Sequence, residues 1–362
     1  MTVSRRAKSR SASSPARYGR WILAPSTNCA NSMVRSPLSR RCRHRTLPGR
    51  ILSSNPTPIA ARQGIPPAIW QTRRRCEMGS GWHEWPLVLF TVIGQCVAGG
   101  LIVTGLGWMA TSGDQRTQAS IVRSQLLLWI LMGIGFIASM MHLGSPLRAF
   151  NSLNRVGASA LSNEIAAGSL FFAVGGVWWL LTWLGKMPAA LGRLWLVVSM
   201  VLGVLFVWAM TRVYQIDTVP TWHNGYTTAS FFLTMLIGGP LLGALLLRLA
   251  EMRYNASRFA AVSVAALVAS CAVVMLQSMQ LGEIHSSVQQ AIALVPDYGM
   301  LQVWRLALVA LGLGCWICPL VMRKQPQVIS LLAGIVLVVA GEVVGRGLFY
   351  GLHMTVGVAV AG

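Results

Sequence analysis

Long apolar runs separated by short polar segments dominate residues 78–362 of this chain. A helix that crosses a bilayer needs about 20 mostly apolar residues. Trp and Tyr recur near the ends of the runs, as expected for side chains that anchor a helix at the membrane interface. The pattern predicts an all-α integral membrane protein, a bundle of eight transmembrane helices, with spans at 86–110, 125–144, 165–184, 194–214, 231–249, 260–279, 301–322 and 328–350.

Residues 1–77 have a different character. They are rich in Arg, Ser and Pro, and they carry sixteen basic residues against one acid. They lack the continuous apolar region of a secretory signal. We expect either a disordered basic segment or, preferably, upstream DNA read from a mis-called gene start, since Arg74-Arg75 codons could form a ribosome-binding sequence just before Met78. No motif supports a nucleic-acid-binding arm, so no nucleic-acid partner is predicted. The two regions are therefore 1–77 and a membrane-anchor domain at 78–362.

The distribution of charge predicts how the domain lies in the membrane. Charged residues make up 11% of the sequence, against about 25% in ordinary soluble domains. Basic residues are enriched in the cytoplasmic loops of membrane proteins. We therefore predict a multi-pass protein of the bacterial cytoplasmic (inner) membrane, with both ends of the domain periplasmic. Nine of the fourteen basic residues of the domain follow the odd-numbered spans: Arg116, Arg123, Lys186, Arg193, Arg248, Arg253, Arg258, Arg323 and Lys324.

One polar stretch, 142–164, joins the second and third predicted spans. It begins with His142, ends with Glu164, and contains Arg148 and Arg155. Ionisable groups at membrane depth are costly and are candidates for function. A neutral imidazole can accept a hydrogen bond from a quinol hydroxyl, and a carboxylate at an apolar boundary is suited to accept a proton. The stretch therefore predicts a proton-accepting site for a lipid-soluble substrate, although a histidine at a span end also has a simple interfacial explanation.

Glu342 and Arg346 lie in the last predicted span at a spacing of four residues. This spacing places both side chains on one helix face, where they can pair. Two interpretations stay open: a structural ion pair that fixes helix packing, or one wall of a quinone pocket.

Metal-binding patterns are missing from the spans. Cys315 and Cys318 form a CxxC inside an apolar run, which is better explained by helix packing than by a redox or zinc site. No span offers mid-membrane histidines for bis-histidine haem ligation, and no dense set of cysteines is present. We therefore expect no haem, no iron–sulfur cluster and no metal in this protein. Any metal centre must belong to a partner.

Six segments resemble the membrane-anchor (C) subunit of bacterial anaerobic dimethyl sulfoxide reductases. The resemblance covers essentially all of residues 78–362. The matching segments are MGSGWHEWPL, GFIASMMHLGSPLRAFNSLNRVGASALSNEIAAGS, IDTVPTW, FFLTMLIGGPLLG, IHSSVQQAIALVPDYG and GEVVGRGLFYGLHMTVG.

The resemblance implies an eight-span, haem-free subunit, not an enzyme by itself, that oxidises menaquinol. It also implies two partners, an iron–sulfur electron-transfer subunit and a molybdopterin catalytic subunit. His142 and Glu164 match the family's menaquinol-binding histidine and glutamate. The roles of Arg148 and Arg155 are our inference from their place between these two residues.

Three other functions compete with this interpretation. A secondary transporter normally has buried charges at mid-bilayer and internal repeats, whereas the ionisable groups here gather at one face and no repeat is clear in the sequence. A purely structural anchor would also need polar loops for docking. An anchor of a related molybdoenzyme, such as another S- or N-oxide reductase or a selenate reductase, would have the same pattern.

Overall fold

The computed structural model describes residues 80–141, 146–284 and 291–354. Within these ranges the protein forms α-helices and short 3₁₀ helices, without a strand. The 3₁₀ helices are Ser80–Glu84, Pro146–Arg155 and Ala291–Leu294. The α-helices are α1 (Trp85–Ala110), α2 (Gln115–Ser124), α3 (Leu126–Met141), α4 (Ala160–Trp183), α5 (Ala189–Val213), α6 (Gly225–Leu249), α7 (Ala256–Glu283), α8 (Tyr298–Val321) and α9 (Val328–Gly351).

Eight candidate membrane spans are present in this part of the protein, as the apolar pattern predicted. The second span runs from Gln115 to Met141, because α2 continues almost directly into α3. The apolar pattern missed α2, whose sequence is polar and amphipathic. Its start is fixed by Asp114, whose carboxylate accepts a hydrogen bond from the Thr117 backbone N–H at 3.1 Å, as a helix N-cap does.

The central helices of the bundle are α1 and α6. Their apolar stretches are 78% and 83% buried inside the protein, whereas those of the other spans are 22–50% buried. The most extensive helix–helix contact is the one between α1 and α6. The sequences of both helices are therefore apolar on nearly all sides and lack the polar face of an ordinary surface helix.

The described helices form two groups of four spans, and the spans pack in the same pattern within each group. In the first group α1 packs on α3 and α5, and in the second α6 packs on α7 and α9. The last two spans of each group, α4 with α5 and α8 with α9, also pack together. This repeated arrangement was not apparent in the sequence, because packing of apolar helices constrains volume more than residue identity.

Small residues bring α1 and α6 together. A Cβ atom added at Gly239 would lie 2.5 Å from the Gly99 Cα atom, so these backbones approach as closely as glycine permits. Other glycines of the spans are different, since a Cβ at Gly133 or Gly176 would meet no atom within 4 Å. The sequence alone could not show which glycines lie in tight helix contacts and which have no neighbour.

We expect Gly239→Ala to lower the free energy of unfolding by about 1–3 kcal/mol, because overpacking a tight contact forces the backbone to shift. The measurement is the free energy of unfolding of the protein in detergent micelles. Gly176→Ala is the matched control and should change it by less than about 0.5 kcal/mol. Equal losses in the two variants would contradict the close α1–α6 contact.

Candidate functional site

Glu164 is buried near the beginning of α4. It is the fifth residue of the helix and is 5% exposed. The turn before the helix is held by Asn163, whose side-chain oxygen accepts a hydrogen bond from the Gly157 backbone N–H at 2.6 Å. Among the described residues, none forms a hydrogen bond or ion pair with the Glu164 carboxylate. The structure therefore holds a carboxylate inside the helix bundle with its acceptor capacity unused by any described residue.

The other residues of the polar stretch are placed less completely. His142 lies outside the described residues. The backbone of Arg148 belongs to the 3₁₀ helix Pro146–Arg155, and its side chain also lies outside the described part of the protein. Arg155 ends that 3₁₀ helix, is exposed, and forms no ion pair with a described residue. The grouping of these three residues with Glu164 remains a prediction from sequence.

Two tyrosines lie near Glu164. The hydroxyl of Tyr214, directly after α5, is 2.5 Å from the hydroxyl of Tyr350 in the last turn of α9. Both side chains are buried. Burial raises the pKa of Tyr214 well above its ordinary value, and the neighbouring Tyr350 and Glu164 add to this effect. Tyr214 therefore keeps its proton at physiological pH and can act as a hydrogen-bond donor beside the glutamate.

A buried ion pair joins α8 and α9. The Arg305 guanidinium lies 3.3 Å from the Glu342 carboxylate, which also accepts a hydrogen bond from the Thr234 hydroxyl of α6 at 2.7 Å. A side chain at Gly345 would collide with the Arg305 guanidinium. The small residue one turn after Glu342 therefore provides the room that lets Arg305 cross the surface of α9.

Glu342 does not form the expected pair with Arg346. Arg346 instead donates a hydrogen bond to the Gln95 side-chain oxygen of α1 at 3.1 Å. Its guanidinium also lies 3.6 Å from the centre of the Phe231 ring, a favourable cation–π contact. The predicted pair was wrong because residue spacing within α9 gives no information about side chains on other helices. Arg305 of α8 occupies the position beside the Glu342 carboxylate.

Glu342 and Arg346 both line a small cavity, together with Arg305. The cavity measures about 20 Å³, which is room for about one water molecule. Glu342, Arg305 and Arg346 each have one buried polar side-chain atom without a partner among the described residues. Glu342 therefore belongs to a buried ion pair, but with Arg305 and not with Arg346, and the assignment of Glu342 and Arg346 to the wall of a quinone pocket stays a prediction.

The buried charges of the described residues are balanced. They comprise Glu164, Arg305, Glu342 and Arg346, two of each sign. Glu342 and Arg305 lie about 10–15 Å from the helix ends at their side of the bundle, at 1.5 Å of rise per residue. Glu164 lies closer to that same side. Among these four residues, the contact between charges of opposite sign is the one between Arg305 and Glu342, and Glu164 stands apart from it.

Sequence reasoning missed several parts of this site. Gln95 accepts a hydrogen bond from Arg346, and Tyr214 and Tyr350 form a buried hydroxyl pair near Glu164, but none of the three was singled out. Each is a polar side chain in or directly after an apolar run, and that is the signal that could have found them. The partner of Glu342, by contrast, lies 37 residues away on another helix.

A sequence model of the family described as DMSO reductase anchor subunit (DmsC) matches residues 78–352. This protein belongs to the DMSO reductase anchor subunit family. It is 66% identical over 285 residues to the anaerobic dimethyl sulfoxide reductase chain YnfH of Escherichia coli (strain K12), a match that spans 79% of this sequence and 100% of that protein. It is 62% identical over 288 residues to the C subunit of the anaerobic dimethyl sulfoxide reductase of the same organism, with 78% and 100% of the two sequences matched. The corresponding C subunit of Haemophilus influenzae is 41% identical over 291 residues, with 79% and 100% matched.

The family confirms the resemblance read from the sequence segments. The anchor subunit is a multi-pass membrane protein and the membrane anchor of a DMSO reductase-type complex. An anchor subunit works with catalytic and electron-transfer partner subunits and is itself the non-catalytic part of the complex. The site around Glu164 must therefore be understood as part of an assembly whose catalytic subunit is a separate protein.

Proposed function

We propose that the anchor subunit oxidises menaquinol at a site that includes Glu164 and passes the electrons to an iron–sulfur partner subunit. That subunit in turn supplies a molybdenum catalytic subunit. The observation that carries the proposal is the buried Glu164 carboxylate, which has no hydrogen-bond partner among the described residues. A buried acceptor of this kind is expected to find a donor, and a quinol hydroxyl arriving from the bilayer is one.

Oxidation of a quinol to a quinone releases two protons and two electrons. In our proposal Glu164 accepts one proton from a quinol hydroxyl and His142 accepts the other. The electrons pass to the partner's metal centre, because we expect none in this protein. We assign Arg148 and Arg155, which lie between the two proton acceptors in sequence, to stabilising the quinol anion or orienting Glu164.

The position of Glu164 supports release of the proton after oxidation. Glu164 lies four residues from the start of α4, about 6 Å along the helix axis, so a proton held there has a short path to that end of the bundle. The distribution of basic loop residues supports proton release on the periplasmic side.

A binding experiment tests the proposal without measuring turnover. In the purified three-subunit complex, we expect a menaquinol analogue to bind saturably, with one site per anchor subunit. Glu164→Gln should weaken this binding about 10- to 100-fold, since hydrogen bonds to charged groups contribute about 1.5–3 kcal/mol.

Two controls sharpen the experiment. Glu251→Gln removes an exposed carboxylate at the opposite end of the bundle and should leave binding unchanged. Glu342→Gln removes the other buried carboxylate and should weaken binding less than Glu164→Gln does. Absence of saturable binding in the unmodified complex would leave the purely structural anchor as the function.

A further inference from the structure

An open pocket lies at the end of the bundle opposite to Glu164. It is formed between the α1–α2 connection and the α4–α5 connection. Its volume is about 500 Å³, within the range of about 300–1,000 Å³ that is usual for small-ligand sites. The lining of the pocket includes none of the buried charged residues, so a ligand bound there would not contact them.

The pocket is positively charged. Its charged lining residues, in the described part of the protein, are Arg123 near the end of α2 and Arg193 near the start of α5. Both are exposed, and neither forms an ion pair with a described residue. The acid nearest in sequence, Asp114, is occupied with capping α2, and hydrogen bonds from Thr117 hold its pKa below the usual range. Two such guanidinium groups suit a phosphate, which arginine binds through paired N–H donors.

A buried tryptophan forms one wall of the pocket. Trp108 is 6% exposed, and its ring packs edge-on against Trp178 with 5.5 Å between the ring centres. Gln118 donates a hydrogen bond to the Trp108 carbonyl at 3.1 Å. This wall is therefore held in place before a ligand binds.

The position of the pocket indicates a lipid ligand. It lies where α4 ends and α5 begins, at the level of the membrane interface. Exposed apolar side chains flank it, namely Trp183, Leu184, Leu191 and Leu194. These provide a surface for acyl chains directly beside the arginines. The distribution of basic loop residues predicts that this end faces the cytoplasm, where anionic lipids and basic pockets between helices meet.

We propose that this pocket binds the headgroup of an anionic phospholipid, with the phosphate between Arg123 and Arg193. The glycerol oxygens face the polar side chains that line the pocket, Ser112, Gln115 and Gln118, and the acyl chains follow the apolar surface of α5. The bound lipid contacts both the α1–α2 connection and the α4–α5 connection.

The proposal can be tested by native mass spectrometry. The purified complex is reconstituted in phosphatidylcholine nanodiscs and titrated with phosphatidylglycerol. We expect saturable phosphatidylglycerol binding that is about 30-fold weaker in the Arg123→Gln/Arg193→Gln variant, given the usual contribution of basic residues at a lipid surface. Arg123→Lys/Arg193→Lys keeps the charge but not the paired donors, and should lose only a few-fold.

The control variant is Arg253→Gln/Arg258→Gln, which makes the same charge change at exposed positions outside the pocket. It should bind phosphatidylglycerol as the unmodified protein does. An equal loss in the control would mean general surface electrostatics and would overturn the site. Full competition by inorganic phosphate or by glycerol phosphate would also overturn it, since the pocket would then hold a soluble anion.

Discussion

Replacing Glu342 by leucine is expected to lower the free energy of unfolding by about 3–5 kcal/mol, the usual cost of removing one partner from a buried ion pair. Arg305 is 6% exposed and would lose the carboxylate that it pairs with, whereas the Thr234 hydroxyl would keep the Ser230 carbonyl as an acceptor. Unfolding of the detergent-solubilised protein provides the measurement. This effect is among the largest expected for a single substitution in the protein.

A double-mutant cycle separates the ion pair from other effects of the substitution. Glu342→Leu/Arg305→Met should be less destabilised than the sum of the two single variants, because the double variant leaves no unpaired charge on α8. Asp217→Asn serves as the surface control. Asp217 lies 3.1 Å from His223 with 92% of its side chain exposed, so its removal should cost less than about 1 kcal/mol. Additive losses in the cycle would contradict the Arg305–Glu342 contact.

The second large effect concerns activity. Glu164→Gln keeps the size of the side chain but removes the proton acceptor, and a positioned acid or base typically contributes about 10²–10⁴-fold to a rate. We expect the menaquinol-driven rate of the complex to fall by at least about 100-fold, while reduction of the terminal acceptor with an artificial electron donor is unchanged. Steady-state rates with the two donors, measured on the same preparation, give this comparison.

Glu342→Gln is the matched control for this experiment, because it also replaces a buried carboxylate at the same side of the bundle. Its menaquinol-driven rate should fall much less than that of Glu164→Gln when both are corrected for the amount of assembled complex. Equal losses of quinol-driven rate in the two variants would show that the bundle is sensitive to any buried charge change, and would remove the special role of Glu164.

The number of spans was predictable from the sequence because each span is an apolar run of membrane length. Helix α2 was not, since its polar residues carry no apolar run, and only the Asp114 cap marks its start. The two four-span groups were also invisible, because packing in a lipid-facing bundle requires suitable volume and not particular residues. Gly239 and Gly176 illustrate this limit: the same residue makes a tight helix contact at one position and none at the other.

At the candidate site, the sequence identified the buried ionisable residues correctly but did not identify which side chains they pair with. Glu164, Glu342 and Arg346 were recognised because ionisable groups in apolar runs are rare, and all three are buried. The partner of Glu342 was predicted wrongly because spacing along one helix reports neighbours on that helix alone. Arg305 comes from α8, and Gly345 admits it, so the pairing depends on how two helices meet.

Quinol oxidation at Glu164 is tested most closely by reduction of the partner's iron–sulfur centres with menaquinol, followed by electron paramagnetic resonance in the assembled complex. We expect menaquinol to reduce the centres in the unmodified complex but not in the Glu164→Gln complex, although dithionite reduces both. Reduction of the Glu164→Gln complex by menaquinol at the unmodified rate would show that Glu164 is not the proton acceptor.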